Sequence, residues 1–326
     1  MLEREFISSC MKKVTDGIGI TFHEAEKLID IRDIFQLAQA ANVITMSFNG
    51  PVIDIEALLN AKSGNCPENC SFCSQSSFYR SGITKYPLLS SREVINKAKQ
   101  AERSGASSFC LVCAYRAPPE KEFRQICNII KDLKREIKID INASLGFMTL
   151  ERASQLKSLG VKRYNHNLEA SKSFFSQICT THDFDDRIQT ARNVKESGLE
   201  LCCGGIIGMG ESKLQRIELG FSLAELEPHE VPINILIPQE GTPLASMNTI
   251  TPEEAIKTIA VWRFIMPKTI LKLAGGREVH FMDNGRLALT AGANGIISGG
   301  YLTTEGSEMS QDSLMIEEIG RQPGLH

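Results

Sequence analysis

The sequence predicts an α/β protein, a (β/α)8 TIM-type barrel with an N-terminal helical extension, on the strength of three observations. Short apolar, β-rich runs recur at 53–61, 107–113, 138–144, 161–168, 199–205, 231–238, 269–274 and 295–299, most of them far enough apart for a crossover helix. Helix-start signals fall in the intervals: Ser90-Ser-Arg-Glu93 reads as a capping box, and Thr251-Pro-Glu-Glu254 adds proline at the first helical position. No glycine- or serine-rich linker interrupts the 326 residues, and a hydrophobic content of 42% suffices for one large core. Eight strand–helix units favour closure into a barrel over an open doubly wound sheet, and in a barrel function gathers at the C-terminal ends of the strands.

Residues 1–42 read as the helical extension. Thr21-Phe-His-Glu24 is a further capping box and opens a helical pair running to about Ala41, with Phe22, Ala25, Leu28 and Ile29 on one face. The extension is expected to cover the barrel bottom or contribute to a dimer contact. The barrel is assigned to 43–305 and a polar tail to 306–326, whose last residues, from Arg321 onward, are expected to be loose.

A net charge of −3 with interspersed signs favours neither a nucleic acid nor an anionic membrane as partner. No apolar run approaches the length of about eighteen residues needed to span a bilayer. The first residues lack the basic-then-apolar pattern of a secretory signal. Ten cysteines without such a signal point to reduced thiols, hence a soluble cytoplasmic protein.

Directly after the first strand-like run stands Cys66-Pro-Glu-Asn-Cys70-Ser-Phe-Cys73. Three closely spaced thiolates form a soft site able to hold three corners of a [4Fe-4S] cluster. No fourth cysteine lies nearby in the sequence, so one iron is left open to another ligand. A structural zinc knuckle is the competing reading. It normally takes four protein ligands in paired spacings, and the first histidine after the run is His166.

The loop Asn60-Ala-Lys-Ser-Gly-Asn-Cys-Pro-Glu-Asn-Cys-Ser-Phe-Cys-Ser-Gln-Ser-Ser77 closely resembles that of the biotin synthase family of radical S-adenosylmethionine enzymes. Further matches follow in order: Tyr164-Asn-His-Asn-Leu-Glu169, Cys203-Gly-Gly-Ile-Ile-Gly-Met-Gly-Glu211, Val231-Pro-Ile-Asn234, Gly241-Thr-Pro-Leu244, Gly276-Arg-Glu278 and Ala291-Gly-Ala-Asn294. The resemblance implies that the open iron chelates S-adenosylmethionine and that one electron cleaves it to a 5′-deoxyadenosyl radical. The radical then abstracts hydrogen from dethiobiotin, and sulfur is inserted to give biotin. The difficult chemistry belongs to the cofactors; the protein binds, orients and excludes water. Implied partners are a low-potential electron donor of the flavodoxin or ferredoxin type and a second copy of the chain in a homodimer. Rival readings are a sister radical enzyme, such as a hydrogenase maturase or methylornithine synthase, and a non-catalytic metal or electron-transfer protein.

By the same resemblance Phe72 lies along the adenine, the alternative being a hydrophobic plug for its loop. Asn165, Asn167 and Glu169 alternate along the fourth strand and so share one side. Buried in a lumen, they need polar partners or an internal network. The resemblance gives the ribose to Asn167 and Glu169, the latter standing where the family often has aspartate, and the substrate to Asn165, Asn167 and Asn234. It gives the S-adenosylmethionine carboxylate to Arg187, whose alternative is a surface pair with Asp183. Gly205 lies in a glycine-rich run that lets a ligand approach the backbone. His166 is expected to face outward as a structural residue, and Cys10, Cys127 and Cys179 to be ordinary thiols.

The family's auxiliary iron–sulfur cluster, of the 2Fe-2S type in its common form and regarded as the sulfur donor, uses three cysteines and an arginine. Cys110 and Cys202 match two of the cysteines, but Asn142 and Lys272 stand at the other two positions, and neither suits soft iron. Cys113 and Cys203 appear beside the surviving pair instead. An altered, four-iron auxiliary cluster on Cys110, Cys113 and Cys202, with Cys203 as a further ligand only if its strand kinks, is the expectation; core cysteines are the alternative. Iron and sulfide counts on anaerobically reconstituted protein test it. A count clearly above the four irons of one [4Fe-4S] cluster is expected, whereas about four irons per chain would leave only the first cluster.

Overall fold

A computed structural model describes residues 2–304 and 306–324. The chain opens with α1 (Glu3–Thr15), α2 (Phe22–Ile29) and α3 (Ile34–Asn49), then alternates strands and helices. These are β1 (Val52–Lys62), α4 (Ser91–Arg103), β2 (Ser108–Cys113), α5 (Glu120–Glu136), β3 (Asp140–Ser144), α6 (Leu150–Ser158) and β4 (Arg163–Asn165). There follow α7 (Lys172–Ile178), α8 (Phe184–Glu196), β5 (Glu200–Cys202), β6 (Gly205–Ile207), α9 (Lys213–Glu225), β7 (Glu230–Ile235), α10 (Pro252–Ile265) and β8 (Ile270–Leu273). The chain finishes with α11 (Arg277–His280), α12 (Arg286–Leu289), β9 (Gly295–Ser298), α13 (Met309–Glu318) and β10 (Gln322–Gly324).

The strands pair in the order β1-β2-β3-β4-β5-β7-β8-β9, and β9 returns to β1, so the sheet closes. Every pairing is parallel, as the alternating helices require. The helix starts follow the sequence signals. Ser90 and Thr251 each accept a hydrogen bond from the backbone three residues on, with Glu93 and Glu254 completing the reciprocal box.

The predicted run 199–205 is not one strand. It breaks between Cys202 and Gly205, and β6 pairs β7 further along. The cause is close backbone approach: a Cβ at Gly204 would lie 1.9 Å from the Pro232 carbonyl oxygen.

Ile7, Cys10 and Val14 of α1 join Leu28, Leu37 and Ile44 in an apolar cluster closed by Ile217 of α9 and Val261 and Phe264 of α10. At the far end of α3, Thr45 donates to the Gly292 carbonyl at 3.1 Å and Asn49 to that of Pro267 at 2.9 Å, just before β9 and β8 begin. The extension therefore packs on the α9–α10 flank and touches the N-terminal rim.

The C-terminal residues also differ from expectation. β10 pairs with the start of β1, and α13 is tied to the barrel by a buried Asp312–Arg277 pair at 2.8 Å. Leu325 and His326 lie outside the described residues.

The lower lumen holds a buried ionic layer. The Lys272 ammonium lies 2.8 Å from Asp54, 2.9 Å from Glu56 and 2.7 Å from Glu230. Asn142 donates to Glu56 at 2.7 Å, and Arg163 bridges Glu230 and Glu200. Burial alone would lower the Lys272 ammonium, but the three carboxylates hold it well above its ordinary value. Removing the cation leaves those carboxylates facing one another. Lys272→Met is therefore expected to cost about 3–5 kcal/mol in urea unfolding; an unchanged midpoint would contradict this ionic floor.

Candidate functional site

The loop after β1 folds back on itself at the C-terminal end of the barrel. Cys66 N–H donates to the Gln75 carbonyl at 3.0 Å, Ser77 N–H to that of Cys66 at 2.8 Å, and Cys73 N–H to that of Cys70 at 3.0 Å. These turns bring Cys66, Cys70 and Cys73 to one wall of a cavity of about 410 Å³, a volume ordinary for a small-molecule site.

A second segment, 178–182, pins the loop from outside. Ser71 N–H donates to the Ile178 carbonyl at 2.8 Å, and the Asn69 side-chain oxygen accepts from the Thr180 and Thr181 amides at 3.0 and 3.2 Å. Glu68 closes the clamp, 2.5 Å from both His182 Nδ1 and the Arg116 guanidinium.

Burial raises the Cys66 thiol and pushes Cys73 up to about 11. The hydrogen bond that Cys70 donates to Cys179, and then burial, raise Cys70 as well. Metal uptake here must displace protons, and three converging thiols supply a soft donor set.

The same clamp brings in a fourth cysteine. Cys179 Sγ is 3.8 Å from Cys70 Sγ and 3.3 Å from His182 Nδ1. Among the described residues Cys70, Cys179 and His182 are the one group close enough to share a single ion, and neither Cys66 nor Cys73 belongs to it. A four-ligand zinc knuckle on the loop thus finds no closing residue. Two sulfurs in van der Waals contact cannot serve separate corners of a cubane either. The residues fit a cluster held by three thiolates.

Facing the cysteines, Asn165, Asn167 and Glu169 all line the cavity, though not from a regular strand. β4 ends at Asn165, and Glu169 has φ 67°, a left-handed conformation uncommon for a side-chain-bearing residue. The Leu168 and Glu169 amides both donate to the Gly204 carbonyl, which holds that turn. Asn167 accepts from the Gly204 amide at 3.0 Å and lies 3.4 Å from Glu169. Burial raises the Glu169 carboxyl, while the Asn165 Oδ1 atom is buried with no hydrogen-bond partner. Polar atoms in that state call for a polar ligand.

His166 departs from expectation. It lines the cavity and packs against Phe147 at 5.2 Å between ring centroids. Its Nε2 is buried without a partner, and burial holds the imidazole well below its usual value, hence neutral. Strand alternation misplaced it because β4 stops one residue earlier.

Arg187 is buried rather than paired with Asp183, which caps α8 instead. Its guanidinium donates to the Asn167 carbonyl at 2.8 Å and to His182 Nε2 at 3.0 Å, and lies 3.9 Å from Cys70 Sγ. Phe72 packs on the core from the cavity wall. Asn234 bridges the Gly205 carbonyl at 3.2 Å and the Gly275 amide at 3.0 Å. Gly205 sits against Glu169, whose carbonyl oxygen would be 2.8 Å from an added Cβ.

The auxiliary-cluster residues separate. Cys110 and Cys202 face the lumen among Glu56, Glu230 and Lys272, and Cys202 donates to Glu230 at 3.6 Å. Cys203 belongs to the apolar core, whereas Cys113, at the end of β2, packs on that core and also lines the cavity. The lumen thus offers two thiols at this level, with Lys272 and its carboxylates around them. The four cysteines are thus divided between the ionic layer, the cavity wall and the core.

The Gly204 contact generates a test. Gly204→Ala must displace the β7 backbone or the Asn167 turn, at a cost of about 1–3 kcal/mol, read as a lower urea midpoint; an unchanged midpoint would mean that the close approach does not hold the strand break.

Residues 60–219 match the family model of the Radical SAM superfamily, and residues 232–322 match that of the Biotin and Thiamin Synthesis associated domain. The chain is 48% identical over 318 residues to a biotin synthase of Nitrosopumilus maritimus (strain SCM1), covering 97% of this chain and 98% of that one. It is 44% identical to a biotin synthase of Carboxydothermus hydrogenoformans, covering 96% and 98%. Among solved structures, methylornithine synthase superposes with a TM-score of 0.86 at 20% identity, covering 96% of this chain and 97% of that one, a likeness of fold. With thiols, cavity and polar turn arranged as described, these matches place the chain in the biotin synthase family of radical S-adenosylmethionine enzymes.

Proposed function

We propose that the chain converts dethiobiotin to biotin. The observation that carries this reading is the convergence of three loop thiols, with no closing ligand among the described residues, on a cavity lined by Asn165, Asn167, Glu169 and Asn234. When bound, the [4Fe-4S] cluster supplies the electron for reductive cleavage of S-adenosylmethionine.

The chain's own residues bind and orient. Cys66, Cys70 and Cys73 hold the cluster. Arg187, fixed between Asn167 and His182 beside Cys70, offers its positive charge to the carboxylate of S-adenosylmethionine. Asn167 and Glu169 face the ribose from a turn locked by Gly204, with Phe72 the apolar wall for adenine, whereas Gly205, outside the cavity lining, gives its close approach to the Glu169 backbone. Asn165 and Asn234 are left for the polar ring of dethiobiotin.

Cys110 and Cys202 would hold an auxiliary iron–sulfur cluster, and that group would supply the inserted sulfur. Cys110 precedes the cavity-lining Val112 by two residues on β2, so it lies one layer beneath the substrate space.

The reading includes a flavodoxin- or ferredoxin-type donor, a cytoplasmic setting and a homodimer. No helix is long and apolar enough to cross a membrane. Exposed Phe35, Val43 and Met46 on one side of α3 suit a contact with a second copy.

Anaerobic incubation with dethiobiotin, S-adenosylmethionine and a low-potential reductant is expected to yield both 5′-deoxyadenosine and biotin. Deoxyadenosine without biotin would favour a sister radical enzyme, and neither product would refute the reading. Cys110→Ala and Cys202→Ala are each expected to keep S-adenosylmethionine cleavage while losing biotin; full biotin yield from either would remove sulfur delivery from this pair.

A further inference from the structure

The sequence gives no role to Cys179, which lies 109 residues from Cys70 along the chain, yet the fold sets their sulfurs 3.8 Å apart. The proximity is built rather than incidental. The Ser71–Ile178 backbone bond and the three-way Asn69 clamp fix both segments at this point. The Cys179 thiol also touches Asn69 Oδ1 at 3.4 Å and His182 Nδ1 at 3.3 Å. Both cysteines are buried, but Cys70 borders the cavity and so is open to small reagents.

We propose that Cys179 is a redox partner for Cys70, forming a Cys70–Cys179 disulfide when the cluster is absent and thereby guarding the cluster ligand against irreversible oxidation. A disulfide needs the sulfurs at about 2.05 Å, which the present separation reaches by side-chain adjustment within the clamped segments. The oxidant is a low-molecular-weight disulfide such as oxidised glutathione. One cysteine attacks it, releasing one reduced glutathione and leaving a mixed disulfide. The neighbouring cysteine displaces the second glutathione, so two protein thiols are oxidised as one glutathione disulfide is reduced. Reduction by dithiothreitol reverses the bond and returns Cys70 to iron. In the loaded protein Cys70 is engaged by the cluster and the bond does not form. This timing rests on Cys70 being a cluster ligand, but the bond itself is read without any assay of biotin formation.

The test is disulfide mapping by mass spectrometry on the full chain, stripped of iron by a chelator under reducing conditions, desalted anaerobically, treated with oxidised glutathione and alkylated. A dominant Cys70–Cys179 peptide pair is expected. Cys70 linked to Cys66 or Cys73, or Cys179 recovered alkylated, would overturn the proposal. A second readout uses peroxide, which carries an unguarded thiol to sulfinic acid. After oxidised glutathione, then peroxide, then dithiothreitol, Cys179→Ser is expected to take up several-fold less iron on reconstitution than the unmodified chain. Equal uptake would refute the guarding role.

Discussion

The clamp between the cysteine loop and segment 178–182 is the constraint on which the site depends. A loop carrying three thiols has no reason of its own to hold them convergent before metal arrives, because thiol–thiol contacts are weak. Here the backbone of Ser71, the side chain of Asn69 and the Glu68–His182 pair fasten it to the turn before α8. The same turn positions Arg187, whose guanidinium joins His182, Asn167 and the vicinity of Cys70. Loop thiols and cavity-facing residues are thus parts of one hydrogen-bonded unit, and its net contribution outweighs any single bond of about 1 kcal/mol.

Beneath that unit the barrel is closed by charge rather than by apolar layers. In most barrels of this kind branched aliphatic residues fill the lumen. Here Lys272 gathers Asp54, Glu56 and Glu230, with Arg163 and Asn142 at the margin. A buried ion-pair layer adds little net stability but penalises loss of any member, so it fixes a single arrangement. It also occupies the level of Cys110 and Cys202.

Much of this was legible in the chain. The barrel follows from spaced apolar runs and capping boxes, and the loop thiols from their spacing. Asn165, Asn167, Glu169, Arg187 and Asn234 all line the cavity that those thiols border. What escaped were consequences of contacts remote in sequence. His166 was set facing outward by strand periodicity that lapses at Asn165, and the run 199–205 hid a break forced by Pro232. Cys179 read as an ordinary thiol because nothing local links it to Cys70. The glycine-rich run holding Gly205 did signal close approach, but at Gly204 the approaching group is the neighbouring strand.

The proposed chemistry turns on an iron that the three loop thiols would leave open to S-adenosylmethionine. The most direct test is electron–nuclear double resonance on the anaerobically reduced protein with S-adenosylmethionine labelled at its amino nitrogen and carboxylate carbon. Strong hyperfine coupling of both labels to the cluster is predicted. Label signals at the distant-nucleus limit, or zinc in place of iron in the loop, would contradict it.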